Sequence, residues 1–341
     1  MKNDKTPYLS VVMAVRNDKH RSDLSERLNI ALRVWSELCS DYTLPIEILL
    51  VEWNPLPQMP SLQSIIKSGY HNPYTNIRII SVPNEIHCKI DPKNPEGFHQ
   101  MIAKNTGIRR AKGLFVLCTN LDVFPDKMLI EILSKQQLKS KTYYRTRRCD
   151  IPSEKLLNMS VEELISYSRK HIIRSLGMHP KWPGLKVYKK QYLVYKFSVL
   201  KWIYPFLLFI KRLLLGKFHF NLATIDKEAS GDFTLMSHAG WMQIKGYLEN
   251  TEYPLHIDSL ALIHANYCNF KQIILPPEAC VYHMDHPGSW REENKDDKKN
   301  VSHLSWEDVT KIAAGLQKGD FIYNTDKWGL ADDNLYDDKL K

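Results

Sequence analysis

The chain has 341 residues, of which 43% are hydrophobic and 25% are charged, and its formal net charge is +9. This ordinary globular composition predicts one large or two modest domains with a sizeable core. The six cysteines form no Cys-x-x-Cys pair, and the first residues, MKNDKTPYLS, contain no apolar signal segment. No stretch reaches the roughly 18 to 20 apolar residues that a membrane-spanning helix needs. We therefore expect a reduced, cytosolic protein without a transmembrane span.

The first part of the chain alternates short apolar runs with segments of helical periodicity. The predicted strands are Tyr8–Val15, Ile46–Val51, Ile77–Val82 and Leu114–Cys118. The predicted helices between them are Leu24–Leu38, Ser61–Lys67 and Gly97–Lys112. This alternation predicts right-handed βαβ units, and therefore an α/β protein with a parallel sheet.

The remaining chain divides by composition into three segments that follow this α/β half (1–150). Residues 151–228 are predicted to be a basic, mostly helical insertion with a loop at 177–184. Residues 229–290 return to mixed character, with a predicted helix from Asp258 to Ala265 and short strands at 273–275 and 279–282. Residues 291–341 are a charged tail with one helix candidate, Ser305–Leu316.

The predicted strand Leu114–Cys118 is followed closely by the polar step Asn120-Leu121-Asp122. Gly113, just before the strand, is the predicted C-cap of the preceding helix. In open α/β sheets ligands bind beyond the carboxyl ends of strands, and a cation that bridges phosphate oxygens needs only one or two protein carboxylates. Asp122 is therefore a candidate metal ligand; a turn residue or helix cap is the alternative interpretation. Asp126 is the better candidate for the N-cap of the next helix.

Further polar side chains follow the other predicted strands. They are Arg16, Asn17, Glu52 and Asn54. Because the carboxyl ends of parallel strands meet at one edge of a sheet, we expect these residues and Asp122 to line that edge, where a nucleotide would bind. Lys104 lies on the helix before the metal strand, where a cation neutralises phosphate charge. Asp232 follows Gly231, and a glycine lets the backbone approach a sugar closely.

The positive charge is concentrated in the insertion. From Leu164 to Ile225 there is no Asp or Glu against twelve Lys and Arg residues. Within this stretch, 196–217 alternates basic residues with aromatic and aliphatic ones, a pattern typical of helices that lie on anionic membrane surfaces. The expected membrane contacts are Lys201, Trp202, Phe206, Lys211 and Arg212. A buried core helix with outward lysines and a nucleic-acid patch are the alternatives, and the nucleic-acid patch is the less favoured of them.

Several of these segments together resemble the GT-A family of nucleotide-sugar-dependent glycosyltransferases, particularly bacterial enzymes of surface-polysaccharide synthesis. LSVVMAVRND, which includes Val15, resembles the first strand and its base-binding turn, and EILLVEWN resembles the second strand with its acidic end. AKNTGIRRAKGLFVLCTNLDV resembles the segment with the metal-binding Asp-x-Asp. The resemblance covers about 8–290, except for the insertion. It implies a GT-A, Rossmann-like fold whose mostly parallel central sheet is flanked by helices.

The resemblance also implies roles for individual residues. Asn120 replaces the first aspartate of the Asp-x-Asp, while Asp122 retains the second, which is the usual direct ligand of Mn²⁺ or Mg²⁺. Asp258 corresponds to the acidic residue that opens a helix beneath the acceptor, and it would act as the base of an inverting transfer; a simple N-cap is the alternative, with Ser259 as another cap candidate. His283 would complete the metal shell and is favoured by position over His286, although isolated histidines are more often packing or capping residues.

The sequence thus predicts a metal-dependent glycosyltransferase that moves a sugar from a nucleoside diphosphate, with UDP favoured, to a glycan or lipid-linked acceptor. We expect it on the cytosolic membrane surface and expect no nucleic-acid partner. A nucleotidyltransferase is less favoured, because those enzymes usually place a Gly-rich loop where this chain has RNDKHRSD. A non-catalytic membrane-surface or nucleotide-binding protein is the alternative from another class. The donor sugar, the acceptor hydroxyl and the choice between inversion and retention stay open.

Overall fold

A mixed eight-stranded sheet runs through the part of the chain that the computed structural model describes, residues 6–18, 23–154, 156–179, 182–186, 225–251, 256–286 and 306–340. The described strands are β1 (Leu9–Val15), β2 (Ile46–Trp53), β3 (Thr75–Val82), β4 (Phe115–Thr119), β5 (Val123–Pro125), β6 (Thr142–Arg145), β7 (Arg148–Ile151), β8 (Arg174–Leu176), β9 (Met178–His179), β10 (Trp182–Lys186), β11 (Thr234–Ser237), β12 (Lys271–Ile274), β13 (Val281–Met284) and β14 (Tyr336–Lys339). The described helices are α1 (Leu24–Asp41), α2 (Leu62–Ile65), α3 (Asn84–Ile90), α4 (Gln100–Arg110), α5 (Lys127–Ser134), α6 (Val161–Lys170), α7 (His238–Ile244), α8 (Ile257–Tyr267) and α9 (Trp306–Lys318).

The strand order of the large sheet is β12-β6-β11-β4-β1-β2-β3-β14. Strands β4, β1, β2 and β3 are parallel to one another, as the alternating pattern predicts. β11 runs antiparallel to both β4 and β6, and β14 adds an antiparallel strand to β3. The predicted α/β class is therefore confirmed as a mixed α/β architecture with a large central sheet flanked by helices. The GT-A fold itself stays a prediction.

A second, four-stranded sheet has the order β5-β13-β7-β8. β13 pairs antiparallel with β5 and parallel with β7, and β7 pairs antiparallel with β8. This sheet joins segments that lie far apart in the sequence, because β5 follows β4 directly while β13 lies near residue 283. β9 and β10 form a separate antiparallel pair.

Two apolar cores cover the two faces of the large sheet. In β1, Val11 and Met13 belong to the core that includes side chains of α1 and α5, whereas Val12 and Ala14 belong to the core with α4, α7 and α8. α4 packs so closely on β1 that a Cβ at Gly107 would lie 2.5 Å from Cγ1 of Val12. Glycine at position 107 thus allows α4 to approach β1 this closely.

Several local predictions can be compared with the structure. Asp126 is the N-cap of α5, since its side chain accepts a hydrogen bond from the backbone N–H of Met128. Gly113 is not a C-cap: α4 ends at Arg110, and Gly113 instead lies against β1, where a Cβ would be 2.6 Å from the backbone nitrogen of Ser10. A glycine is needed there for close approach of two backbones rather than for a left-handed turn.

The described part of the basic segment contains strands as well as a helix. Residues 161–170 form α6, but 174–186 contain β8, β9 and β10, so the helical prediction does not extend to them. The predicted loop at 177–184 is likewise partly strand, because β9 and β10 pair there. The predicted membrane contacts Lys201, Trp202, Phe206, Lys211 and Arg212 lie outside the described residues. Within the described ranges, no helix combines the length and apolar character needed to cross a membrane.

Candidate functional site

A cleft of about 770 Å³ opens beyond the carboxyl ends of β1 and β4. Acidic, basic and imidazole side chains from both halves of the chain line it. Six of the predicted site residues are among them: Arg16, Asn120, Asp122, Asp232, Asp258 and His283. The structure therefore gathers most of the predicted chemistry into one cavity.

Asp122, His283 and His286 form a compact group of possible metal ligands in this cleft. One ligand atom from each lies within 4.8 Å of the others. Oδ2 of Asp122 is 3.5 Å from Nε2 of His283 and 3.4 Å from Nε2 of His286. Asp122 and His283 are only 4% and 3% exposed, so their orientation is fixed by their surroundings. His286, the less favoured of the two histidines in the sequence, thus lies as near to Asp122 as His283 does.

Strand register brings these residues together. Asp122 immediately precedes β5, and His283 lies opposite Val123 in the ladder between β5 and β13. The backbone N–H of Met284 donates to the carbonyl oxygen of Asp122 at 3.0 Å. The pairing of two short strands therefore places a carboxylate beside an imidazole that is 161 residues away in the sequence.

The turn that carries His286 is held from the opposite side by α1. The guanidinium of Arg27 donates to the carbonyl oxygens of Met284 and Asp285, which directly precede this histidine. Arg27 is 3% exposed. Because these bonds are made in the interior, they fix where β13 ends and where the chain turns into the cleft.

Asp150 lies behind His283. The two residues are opposite each other in the parallel ladder of β7 and β13, and Oδ1 of Asp150 is 3.3 Å from Nδ1 of His283. Asp150 is 1% exposed and also accepts hydrogen bonds from Arg148 and Arg174. A carboxylate on the far nitrogen of a metal-binding histidine sets its tautomer and ring orientation. Asp150 is suited to that role, and sequence patterns alone do not identify it.

The environment of His283 favours its charged form. Burial, the largest single effect, opposes the charge, but hydrogen bonds to Asp122 and Asp150 outweigh it and raise the pKa of His283 to about 9. The contact with His283, together with Arg148, holds the pKa of Asp150 well below its usual range despite its burial. The imidazole therefore pairs with both carboxylates as a cation, and binding of a metal at Nε2 would release its proton.

Arg148 links this group to Asp232. Its Nη1 donates to Oδ2 of Asp232 at 2.5 Å, and its Nη2 lies 3.0 Å from Nδ1 of His283. Asp232 in turn accepts from Nδ2 of Asn120 at 2.5 Å. Arg148 was not identified from the sequence, because it begins a short strand, β7, whose pairing could not be predicted.

Lys104 supports the floor of the cleft rather than its surface. The side chain is fully buried and is not among the described residues that line the cavity. Its Nζ donates to Oδ1 of Asn120 at 2.8 Å and to the carbonyl oxygen of Gly231 at 2.7 Å. Lys104 therefore connects the loop of Asn120 to the loop of Asp232, and the side-chain amide of Asn120 is bonded to both Lys104 and Asp232.

Asp258 is held by the Ser230-Gly231 loop. Its Oδ2 accepts from the hydroxyl of Ser230 and from the backbone N–H of Gly231, each at 2.7 Å, and its Oδ1 accepts from the N–H of Ser259 at 2.8 Å. The N-cap of α8 is His256, in a left-handed conformation. The alternative interpretation of Asp258 as a simple N-cap is therefore wrong.

The remaining predicted donor-binding residues lie near this edge but outside the cleft lining among the described residues. Asn17 donates to the carbonyl oxygen of Pro60, and Asn54 donates to those of Pro95 and Gly97. Val15 is fully buried at the end of β1. Glu52 accepts from the N–H of Leu62 and lines a separate pocket of about 130 Å³.

A divalent metal fits the Asp122, His283 and His286 group. Imidazole and carboxylate ligands bind an ion such as zinc at about 2.0–2.2 Å, so two such ligand atoms lie roughly 3–3.5 Å apart. The distances from Asp122 to the two histidines agree with this spacing. Two imidazoles and one carboxylate suit Mn²⁺, Fe²⁺ or Zn²⁺ better than Mg²⁺, which prefers oxygen ligands.

Comparisons with known proteins give distant similarity in structure only. No family model and no curated protein matches the sequence. Among solved structures, S. aureus TarS 1-349 has a TM-score of 0.40 at 15% identity and covers 81% of this chain and 60% of that one. A second structure, of S. aureus TarS, gives 0.39 at 14% identity, covering 82% and 37%. TarS 1-349 in complex with UDP-GlcNAc gives 0.42 at 13% identity, covering 82% and 59%.

This chain thus spans less than two thirds of the length of each of these structures.

Proposed function

We propose that this protein is a metal-dependent glycosyltransferase that moves a sugar from a nucleoside-diphosphate sugar, with UDP favoured, to a glycan or lipid-linked acceptor. The observation that carries the proposal is the group formed by Asp122, His283 and His286, which lies at the carboxyl ends of the strands in the same cleft as Asp258. Ligands suited to a cation and a fixed carboxylate in one cleft support such a metal-dependent transfer.

Asp122, His283 and His286 would hold the metal, and the donor set favours Mn²⁺ over Mg²⁺. When bound, the ion would stabilise the negative charge that accumulates on the departing diphosphate. Asp150 would orient His283 through Nδ1, and Arg27 would hold the turn that carries His286. These residues set the direction of the ligand nitrogens before any substrate arrives.

Asp258 would accept the proton of the acceptor hydroxyl. The oxygen of that hydroxyl would attack the anomeric carbon while the bond to the diphosphate breaks on the opposite face. Attack from the opposite face inverts the anomeric configuration. Support comes from the position of Asp258 in the cleft and from the three hydrogen bonds that hold its carboxylate. A general base must be fixed within hydrogen-bond reach of the proton that it removes.

The donor would lie along Arg16, Asn120 and Asp232, which line the cleft beside the metal group. Arg16 is itself held by Asp18 and by the carbonyl oxygens of Glu96 and Gly97, so it is a fixed part of the wall. Lys104 and Arg148 would place the loops of Asn120 and Asp232 from behind. The predicted nucleoside contacts Val15, Asn17, Glu52 and Asn54 stay predictions.

We further propose that the protein acts at the cytosolic face of a membrane and attaches to it through the basic segment 196–217. The support is the alternation of basic and aromatic residues in the sequence. Flotation with anionic liposomes tests it: replacing Lys201, Lys211 and Arg212 by Gln should reduce binding, because each basic residue near such a surface contributes about 1 kcal/mol. Unchanged flotation would refute membrane attachment by this segment.

The activity is tested with a panel of nucleotide sugars, each incubated with the purified protein in Mn²⁺ and in excess chelator. We expect metal-dependent release of a nucleoside diphosphate from one donor, and its loss in Asp122→Ala. The thermal midpoint measured with UDP, with and without Mn²⁺, separates this function from a non-catalytic surface protein, since only a ligand of the native state raises it. No hydrolysis and no UDP-dependent shift would refute the proposal.

A further inference from the structure

Arg174 differs from the other two arginines that line the cleft. Arg16 and Arg148 use their guanidinium nitrogens on protein partners. Arg174 donates only from Nε, to Oδ2 of Asp150, and its two Nη groups have no hydrogen-bond partner among the described residues. Its side chain is 40% exposed. It therefore offers the cleft four N–H donors on two nitrogens, with no partner from the described chain.

The guanidinium of Arg174 is nevertheless held in place. Asp150 is 1% exposed and is fixed on its other side by Arg148 and His283. β8, which begins at Arg174, pairs with β7 so that Arg174 lies opposite Asp150 in the ladder. An arginine anchored in this way loses little further freedom when it binds a planar or tetrahedral oxyanion through two parallel hydrogen bonds.

Arg174 is linked to the metal group through Asp150. Asp150 presents Oδ1 to His283 and Oδ2 to Arg174, while Nε2 of His283 faces Asp122. Among the described residues, Arg174 makes no hydrogen bond or ion pair with Asp122, His283 or His286. Arg174 therefore belongs to the same cleft without being part of the metal group.

Three apolar side chains line the cleft on the segments next to Arg174. Leu176 and Met178 follow it in the chain, and Ile225 lines the same cavity, followed there by Lys227 and Glu228. The backbone of Met178 lies close enough to the carboxyl of Asp226, next to Ile225, to lower its pKa, so the two segments are adjacent. A fixed guanidinium thus lies near apolar side chains.

On the basis of the proposed function, we propose that Arg174 binds an oxyanion of the acceptor, a phosphate or a carboxylate, whose apolar portion contacts Leu176, Met178 and Ile225. The acceptor is therefore an anionic molecule, and its charged group lies apart from the diphosphate of the donor. Arg174 is a binding residue in this account and takes no part in proton transfer.

The test measures the affinity of small probes by ligand-observed NMR with the full chain. Glycerol 3-phosphate and glycerate carry the two candidate groups, and glycerol is the uncharged reference. Each is titrated alone and again with saturating UDP and Zn²⁺, a diamagnetic ion that suits the ligands of the metal group. We expect one of the anionic probes to bind, glycerol not to bind, and UDP to leave the affinity of the bound probe within about twofold. Displacement by UDP would overturn the proposal, because Arg174 would then serve the donor diphosphate.

Variants separate the site from general electrostatics. Arg174→Gln should lower the affinity of the bound probe about tenfold, since a charged hydrogen-bonding partner is lost. Arg174→Lys should lower this affinity less, because the charge remains. Arg169→Gln is the matched control: Arg169 is 54% exposed and also paired with an aspartate that is 1% exposed, but it lies outside the cleft lining. It should change no affinity.

The proposal would be overturned if both Arg174 variants kept the wild-type affinity for the probe, or if Arg169→Gln reduced this affinity equally. It would also be overturned if no probe bound to the wild type. Failure of the proposed function has a different signature, because UDP would then not bind while the dependence of the probe on Arg174 persisted.

Discussion

His283 lies directly opposite Asp150 between β7 and β13, with Nδ1 of the imidazole 3.3 Å from Oδ1 of the carboxylate. The other ring nitrogen, Nε2, faces Asp122. A histidine placed between two carboxylates in this way has one nitrogen directed by the protein and one available to a cation. The geometry of the candidate metal group therefore depends on Asp150, although Asp150 is not itself one of the candidate ligands.

Replacing Asp150 by Asn should therefore weaken metal binding. Outer partners of metal-ligating histidines typically contribute 10- to 100-fold in affinity, and we expect a loss in about this range for Mn²⁺ measured by calorimetry. The variant should also lower the thermal midpoint, because Arg148 and Arg174 lose their shared anion.

Asp126→Asn is the matched control. Asp126 is equally buried and is also paired with an arginine, Arg169, but it caps α5 and does not contact the histidines. It should lower stability and leave Mn²⁺ affinity unchanged. Equal Mn²⁺ affinities in the wild type and in Asp150→Asn would show that Asp150 does not position the ligand.

Local patterns in the sequence predict the central strands and the ends of several helices. The apolar runs of β1, β2 and β4 are buried on both faces of a parallel sheet, and such strands need no distant information to be recognised. The N-cap of Asp126 is equally local, because its partner is the N–H of Met128. These features could be predicted because the residues that determine them are neighbours in the chain.

The site depends on distant pairing, which the sequence does not encode in a periodic pattern. Asp150 and Arg148 could not be identified because β7 is short and meets β13 more than a hundred residues later. Gly113 is a smaller example of the same limit. A glycine is required at this position because it lies against Ser10 in β1, and not because it ends the preceding helix. β14, with two aspartates in a four-residue strand, has no apolar pattern by which to predict it.

Asp258→Asn should strongly reduce catalysis while leaving donor binding intact. General bases typically contribute 10²- to 10⁴-fold, and we expect a loss of about this size in metal-dependent donor hydrolysis, with UDP affinity within about twofold of the wild type. Ser230→Ala is a useful comparison, since it removes one hydrogen bond to the carboxylate, worth about 1 kcal/mol. It should cost less than Asp258→Asn. Full activity in Asp258→Asn would remove it from the mechanism.

Gly107→Ala should destabilise the protein by overpacking α4 against β1. The added Cβ would lie 2.5 Å from Cγ1 of Val12 and 3.0 Å from Cγ2 of Val51, and such insertions typically cost about 1–3 kcal/mol. Urea denaturation measures the change. Adding Val12→Ala should recover part of it, so the two changes should not be additive. Additive losses would mean that Gly107 is required for another reason.

The central claim is that Asp122, His283 and His286 hold a divalent ion that binds a nucleoside diphosphate. Electron paramagnetic resonance of free Mn²⁺ tests it most directly, in titrations of the wild type, of Asp122→Ala and of the double variant His283→Ala with His286→Ala, with and without UDP. The account predicts binding of one Mn²⁺ per wild-type chain, tighter binding in the presence of UDP, and loss of both effects in the two variants. Wild-type affinity for Mn²⁺ and UDP in Asp122→Ala would contradict it.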